Sequence, residues 1–221
     1  MFNKRNFALI LVLVFSFLVL AACSNDAEFT ERKYSSAEDE IVSVNIDVRD
    51  REIQVSLSQD NQIHITYFDS EKEFYDISVS DDKVLTMTAL FEKKWTDYIG
   101  ISPSPGVKKI SLEIPDSLLS SLTLSTTNKD IIVSDLSVIN DIILSTNNGN
   151  LTFEKLAVGN MLKLTAKNGD IQGVVVGSYD DFSIITKIKK GDSNLPLEKK
   201  SGDKKLEVTN NNGNINIEIV K

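Results

Sequence analysis

From Ile41 onward apolar and polar residues alternate with a period of two. Val42, Val44, Ile46 and Val48 mark a first run, followed by Ile53, Val55 and Leu57, then Ile63, Ile65 and Tyr67. Ile77 and Val79, Leu85 and Met87, and Ile110, Leu112 and Ile114 continue it. Successive side chains of a strand point to opposite faces, so each run predicts a short strand with one buried face. Turn formers such as Asp60-Asn61 and Asp81-Asp82 separate the runs, and Pro115-Asp116 closes the one at Ile114. No stripe of helical period appears after the amino-terminal apolar segment. Phe91 to Gly106 breaks the alternation and reads as a longer loop, with Phe91, Trp95 and Tyr98 set among charges and Pro103 and Pro105 behind them.

The last hundred residues repeat. Leu122-x-Leu124 leads to Asn128-Lys129-Asp130-Ile131, and Ile142-x-Leu144 to Asn148-Gly149-Asn150-Leu151. Leu162-x-Leu164 leads in turn to Asn168-Gly169-Asp170-Ile171. A distorted fourth unit, around Phe182 to Leu195, carries Lys190-Gly191-Asp192 at its turn. The last has Leu206-x-Val208 and Asn212-Gly213-Asn214-Ile215. Each unit is a strand, a turn of Asn-Gly type and a second strand. One unit presents about four inward apolar side chains, each contributing roughly 1.5–3 kcal/mol on burial. That is too little to order about twenty residues alone. Stacked units bury their rows on one another and share strand hydrogen bonds. The expected fold is therefore all-β, a solenoid-like stack of about 20-residue strand-turn-strand repeats. Asn-Gly between alternating strands is also a strong hairpin signal, and an antiparallel β meander is the alternative.

The amino terminus has a different pattern. Lys4 and Arg5 precede Phe7 to Leu20, an apolar run interrupted only by Ser16. The run is short of the ~20 residues that span a bilayer and fits the hydrophobic region of a signal peptide. Leu20-Ala21-Ala22-Cys23 follows, and Cys23 is the only cysteine. This resembles the lipobox of bacterial lipoproteins, which implies cleavage before Cys23, a diacylglyceryl group on its sulfur and acylation such as palmitate. Two acyl chains give durable anchoring where one is marginal. The expected division is a signal peptide at 1–22, a lipidated flexible tether at 23–40, polar and without apolar periodicity, and a β-repeat domain at 41–221. The expected location is the extracytoplasmic face of the cell membrane.

Charge narrows the function classes. The formal net charge is -8, and residues 1–22 hold Lys4 and Arg5 but no acid, so the chain from Cys23 onward carries -10. That balance repels nucleic acid, whose binding rests on basic contacts. With Cys23 lipidated no thiol remains, and there is a single histidine, so neither thiolate nor histidine clusters can hold a metal. No cofactor motif is present.

The order of parts, alternating strands, Ile114-Pro115, then Leu-x-Leu-Ser/Thr-x-x-Asn-Gly-Asp/Asn-Ile repeats, is similar to the bacterial putative-adhesin family, a domain of unknown function built of β-strand repeats. The resemblance covers roughly Ile41 to Lys221. Leu144 to Phe153 and Leu162 to Ile171 match best, whereas Lys129 stands where the glycine belongs. It implies a β-solenoid-like envelope protein and supplies no catalytic residues.

Candidate chemistry is sparse. His64 lies on the polar face of its strand and reads as solvated. Asp130, Asn150, Asp170, Asp192 and Asn214 recur just past the turn. They read as hydrogen-bonded turn residues, with a polar ligand strip, a calcium ladder or a carboxylate pair cutting polysaccharide as alternatives. Phe91, Trp95 and Tyr98 form the candidate binding surface, since aromatics anchor interfaces, or else cover an open end of the stack. The expectation is a lipid-anchored, non-enzymatic, adhesin-like module meeting an envelope protein or polysaccharide. The alternatives are an enzyme using the acid row, or a structural envelope-stress protein without a ligand.

Overall fold

The computed structural model describes residues 28–37, 41–93 and 105–221. The strands are β1 (Thr30–Ser35), β2 (Ser43–Asp47), β3 (Glu52–Leu57), β4 (His64–Asp69), β5 (Glu73–Val79), β6 (Val84–Phe91), β7 (Lys109–Ile114), β8 (Ser121–Thr126) and β9 (Ile131–Val133). They continue as β10 (Leu136–Val138), β11 (Asp141–Asn148), β12 (Leu151–Val158), β13 (Met161–Asn168), β14 (Ile171–Val176), β15 (Phe182–Lys190), β16 (Glu198–Lys199), β17 (Lys204–Asn212) and β18 (Ile215–Val220). Among the described residues there is no α-helix, and no helix long and apolar enough to cross a membrane.

Two facing sheets build the column. Sheet I runs β1-β4-β7-β3-β9-β12-β14-β18, with β10 also beside β12, and sheet II runs β16-β15-β17-β13-β11-β8-β2-β6-β5. The neighbours through the middle are parallel: Leu124 pairs with Leu144, and Leu144 with Leu164, each 20 residues on. β11 and β12 lie in different sheets, so Asn148-Gly149 turns a corner of the column and closes no hairpin. This is the solenoid-like stack, not the meander. Antiparallel pairing is confined to the ends, at β1/β4, β4/β7, β5/β6 and β15/β16.

Alternation explains the core. Leu122, Leu124, Ile142, Leu144, Leu162, Leu164 and Leu206 are fully buried in sheet II, facing Ile131, Leu151 and Ile171 of sheet I. No single rung buries its row without the next.

The stacking order departs from chain order at both ends. β17/β18, the last rung in sequence, inserts beside β13/β14, and β15 lies outside it. Likewise β2/β3 sits against β8/β9, while the later β6/β7 lies outside. The irregular fourth unit is thus an end of the stack. An end has no further rung to bury, and β16 folds back antiparallel over part of its open edge.

The domain also starts earlier than the tether at 23–40 implies. β1 pairs along its whole length with β4, Arg32 forms an ion pair with Asp69 at 3.1 Å, and Tyr34 packs against the core. β1 is nearly all exposed, so it lacks the apolar alternation that reveals a half-buried strand. Main-chain pairing at a sheet edge leaves no such mark.

Candidate functional site

The repeated turn stacks its polar side chains into two parallel ladders at one corner. In the first, each Oδ1 accepts the backbone N–H of the next rung: Asp130 from Asn150 at 2.7 Å, Asn150 from Asp170 at 2.9 Å, Asp170 from Asn214 at 2.7 Å, and Asn214 from Asp192 at 3.0 Å. All five candidate turn residues are brought together, and four of the side chains are committed to holding the stack. In the second ladder each asparagine amide donates to the one before. Asn148 gives to Asn128 at 2.7 Å, Asn168 to Asn148 at 2.6 Å, and Asn212 to Asn168 at 2.6 Å. Asn128 donates in turn to the Asp50 carboxylate, so an anion stands at the acceptor end of the amide row. Aligned amides polarise one another, which strengthens each bond in the row.

Glycine makes the corner tight enough. A Cβ at Gly149 would lie 2.1 Å from the Lys129 carbonyl oxygen, and one at Gly169, where φ is +144°, would lie 2.1 Å from that of Gly149. No side chain fits between rungs that share main-chain hydrogen bonds there.

Beside Asp50 lies a cluster the sequence did not reveal. Arg51 is 1% exposed. Its Nη2 meets Glu73 Oε2 at 2.5 Å, its Nε donates to the Tyr75 hydroxyl at 2.6 Å, and Lys93 Nζ reaches Glu73 Oε1 at 2.6 Å. Burial disfavours the Glu73 charge, but hydrogen bonds from Lys93 and Arg51 outweigh it and hold the carboxyl below its ordinary pKa. Burial likewise opposes the Arg51 charge, and Tyr75 and Glu73 together outweigh it and raise its pKa. Burial raises that of Tyr75. Arg51 follows Arg49-Asp50 in what reads as a polar turn, so only the fold, which wraps β5 and β6 around it, discloses the burial.

His64 is not merely solvated. Its Nδ1 lies 2.8 Å from Ser35 Oγ across the β1/β4 pair and its Nε2 3.0 Å from Asp60 Oδ1. Hydrogen bonds from the Gln62 N–H and the Ser58 hydroxyl lower the Asp60 pKa, and His64 adds to them. Serine, imidazole and carboxylate in line invite comparison with a hydrolytic triad. Ser35, however, is exposed on the outermost strand of sheet I. A substrate there would stay in bulk water, where developing charge gains little from fixed dipoles. The trio fastens β1 to β4.

Of the candidate binding surface, Phe91 ends β6 half-buried, with Lys93 Nζ 5.9 Å from its ring centroid. Trp95 and Tyr98, like Cys23, lie outside the described residues. On the outer face of sheet I a shallow groove of about 240 Å³ is lined by Gln54, Ser56, Ser111, Thr152 and Glu154 among others. Glu154 is its one acid, where glycoside hydrolysis ordinarily needs two carboxylates. Among the described residues no three histidine, cysteine or acidic side chains converge as a metal site would require.

The sequence pattern of the Toastrack DUF4097 family matches residues 41–176. No curated protein matches the chain. Among solved structures, one described as a putative cell adhesion protein from Clostridium sporogenes superposes with a TM-score of 0.59, covering 88% of this chain and 100% of its own at 10% identity. One described as a putative adhesin from Bacteroides fragilis has a TM-score of 0.36 and 14% identity, covering 86% of this chain and 97% of its own. The first likeness is one of fold alone.

Proposed function

This chain belongs to the Toastrack DUF4097 family, and we propose that it is a non-enzymatic module, lipid-anchored through Cys23 on the extracytoplasmic face of the cell membrane, whose column meets an envelope protein or polysaccharide. The observation that carries the non-enzymatic reading is the turn ladder. The carboxylates that repetition sets at one height, Asp130 and Asp170, each give one oxygen, Oδ1, to the next rung's N–H, the part of turn residues that hold the stack together. The description of the Clostridium sporogenes structure as a putative cell adhesion protein agrees with a surface role. The anchoring rests on the sequence: Lys4-Arg5, an apolar run and Leu20-Ala21-Ala22-Cys23.

Two measurements test this. In cells fed an alkyne-tagged palmitate, the wild-type chain should carry label and fractionate with membrane, and Cys23→Ala should carry none. Equal labelling of both would remove the anchor. Turnover on wall and extracellular polysaccharides should be absent. Turnover that disappears when Asp130, Asp170 and Asp192 are changed together to asparagine would make the protein an enzyme.

A further inference from the structure

Five exposed lysines of this acidic protein share one end of one sheet face. Strand alternation turns Leu162, Leu164, Leu206, Val208 and Ile184 into the core of β13, β17 and β15. The outward positions of these three strands include Lys163, Lys167, Lys187, Lys189 and Lys205, all exposed, with Thr165, Thr209 and Asn211 between them. Thr165 is in register with Thr209 and Thr209 with Lys187. Lys167 precedes Asn168, and Lys189 precedes Lys190, both of which align with Asn212. At strand spacings of ~4.8 Å and ~7 Å between same-face residues, Lys167, Lys187 and Lys189 ring Thr209 and Asn211 at separations of roughly 7–12 Å. Glu207, half-buried, is the acid on these three strands, with Lys163 3.8 Å from it, and Glu198 of the short edge strand β16 stands opposite Ile185. The same face on β11, β8 and β2 carries Asp141, Ser145, Thr123, Ser125, Asn45 and Asp47, and no lysine.

Like charges side by side on a sheet destabilise it, and 32 acidic residues were available to interleave. Lysine on an edge strand does blunt unwanted pairing. That accounts for Lys187 and Lys189, on the part of β15 beyond its pairing with β16 at Ile184 and Ile185. It does not account for Lys163, Lys167 and Lys205, whose strands are paired on both sides.

We infer that the outer face of β13, β17 and β15, a local basic patch on a chain whose net charge disfavours nucleic acid, is a docking surface for an extracytoplasmic linear polyanion with phosphate repeats, each phosphate held by a lysine and a neighbouring threonine hydroxyl or asparagine amide. Ammonium groups bind phosphate as point charges, and their spacing suits successive charges of a chain. A bilayer headgroup would present the same chemistry. The choice of a polymer rests on the anchoring proposed above. β1, the first described strand after Cys23 in the chain, is six strand spacings, about 29 Å, from β14 along sheet I, so the lysine face stands at the end of the column away from β1.

The test uses the full chain in neutral detergent and a fluorescent polyphosphate as probe. Binding should weaken steeply with salt. Changing Lys167, Lys187 and Lys189 together to glutamate should lower affinity at least tenfold. Lys33, Lys83 and Lys155 changed to glutamate impose the same change of net charge elsewhere and should lower it less than threefold. Circular dichroism and thermal melting check that both variants fold. Absence of binding, or equal losses in the two variants, would overturn the proposal. So would lysine-dependent binding to micelles doped with phosphatidylglycerol without binding to polyphosphate, which would assign the face to lipid. Binding in detergent does not depend on lipid at Cys23, so failure of the anchor and failure of the face are read separately.

Discussion

Asp170 lies beside Asn214, not beside Asp192: its carboxylate accepts the Asn214 N–H at 2.7 Å, and Asn214 in turn accepts the Asp192 N–H at 3.0 Å. In chain order the ladder reads Asp130, Asn150, Asp170, Asp192, Asn214, with two acids adjacent. In spatial order it alternates Asp, Asn, Asp, Asn, Asp, because the last rung is inserted inside the fourth. Rungs are ~4.8 Å apart. Alternation therefore doubles the distance between carboxylates, while the amide oxygen between them still accepts the N–H.

Asn214→Asp keeps the acceptor and places three carboxylates on consecutive rungs. Repulsion between like charges favours the protonated form, so the folded-state pKa values of this trio should rise. A carboxyl whose pKa is raised on folding weakens the fold above that pKa and stops doing so as it protonates. The variant should be less stable than wild type by about 1–2 kcal/mol at pH 7, with the gap closing below pH ~4. Urea denaturation at both pH values reads this out. A gap that does not change with pH would mean that the alternation has no electrostatic basis.

The asparagine ladder is expected to contribute separately. Asn168 both donates to Asn148 and accepts from Asn212, at 2.6 Å each. Asn168→Ala removes both bonds at an exposed position, where water replaces part of the loss. The expected cost is about 1–2 kcal/mol in urea unfolding, from two bonds of roughly 0.5–1.5 kcal/mol net. A cost within error of zero would make the row ornamental.

The inserted rung gives a sharper expectation. In a stack that follows chain order, removing the terminal repeat trims one end. Here deletion of residues 204–221 takes out β17 and β18, which bares one side of β13 and β14 and leaves β15 paired only with the two-residue β16. The truncated chain should be aggregated or unfolded by size-exclusion chromatography and circular dichroism. A monodisperse, cooperatively melting truncation would show that β15 can close onto β13 directly, and the insertion would then carry no stability.

Much of this was legible from the chain. Period-two alternation and the step from Gly149 to Gly169 disclosed strands and stacking, because every repeat must bury the same row at the same height. The corner role of Asp130, Asn150 and Asp170 was legible for the same reason. The order of rungs was not: β15 and β17 carry equivalent rows, and either could pair with β13. β1 escaped because main-chain pairing at an edge asks nothing of side chains. Arg51 escaped because a buried ion pair depends on partners 22 and 42 residues away, Glu73 directly and Lys93 through it.

That ion pair carries the last prediction. Glu73 is held by Arg51 at 2.5 Å and Lys93 at 2.6 Å, and its pKa lies below the ordinary value. A depressed carboxyl contributes its stability above the unfolded-state pKa and loses it as pH falls through the folded-state value. The contribution should be complete at pH 7 and should decline once the pH drops below the ordinary glutamate pKa near 4.5. Glu73→Gln preserves shape but leaves the buried Arg51 guanidinium without its counter-charge. Breaking one side of a buried pair costs about 3–5 kcal/mol, so the variant should unfold at much lower urea than wild type at pH 7. Below pH 4.5 the unfolded chain takes up this proton before the folded one does, so by pH 3 the difference should narrow. A full-sized difference at pH 3 would place the stabilisation in packing around Tyr75 and not in charge. A negligible difference at pH 7 would mean that Lys93, Tyr75 and water suffice to solvate Arg51, and that this end of the column is held by its strands alone.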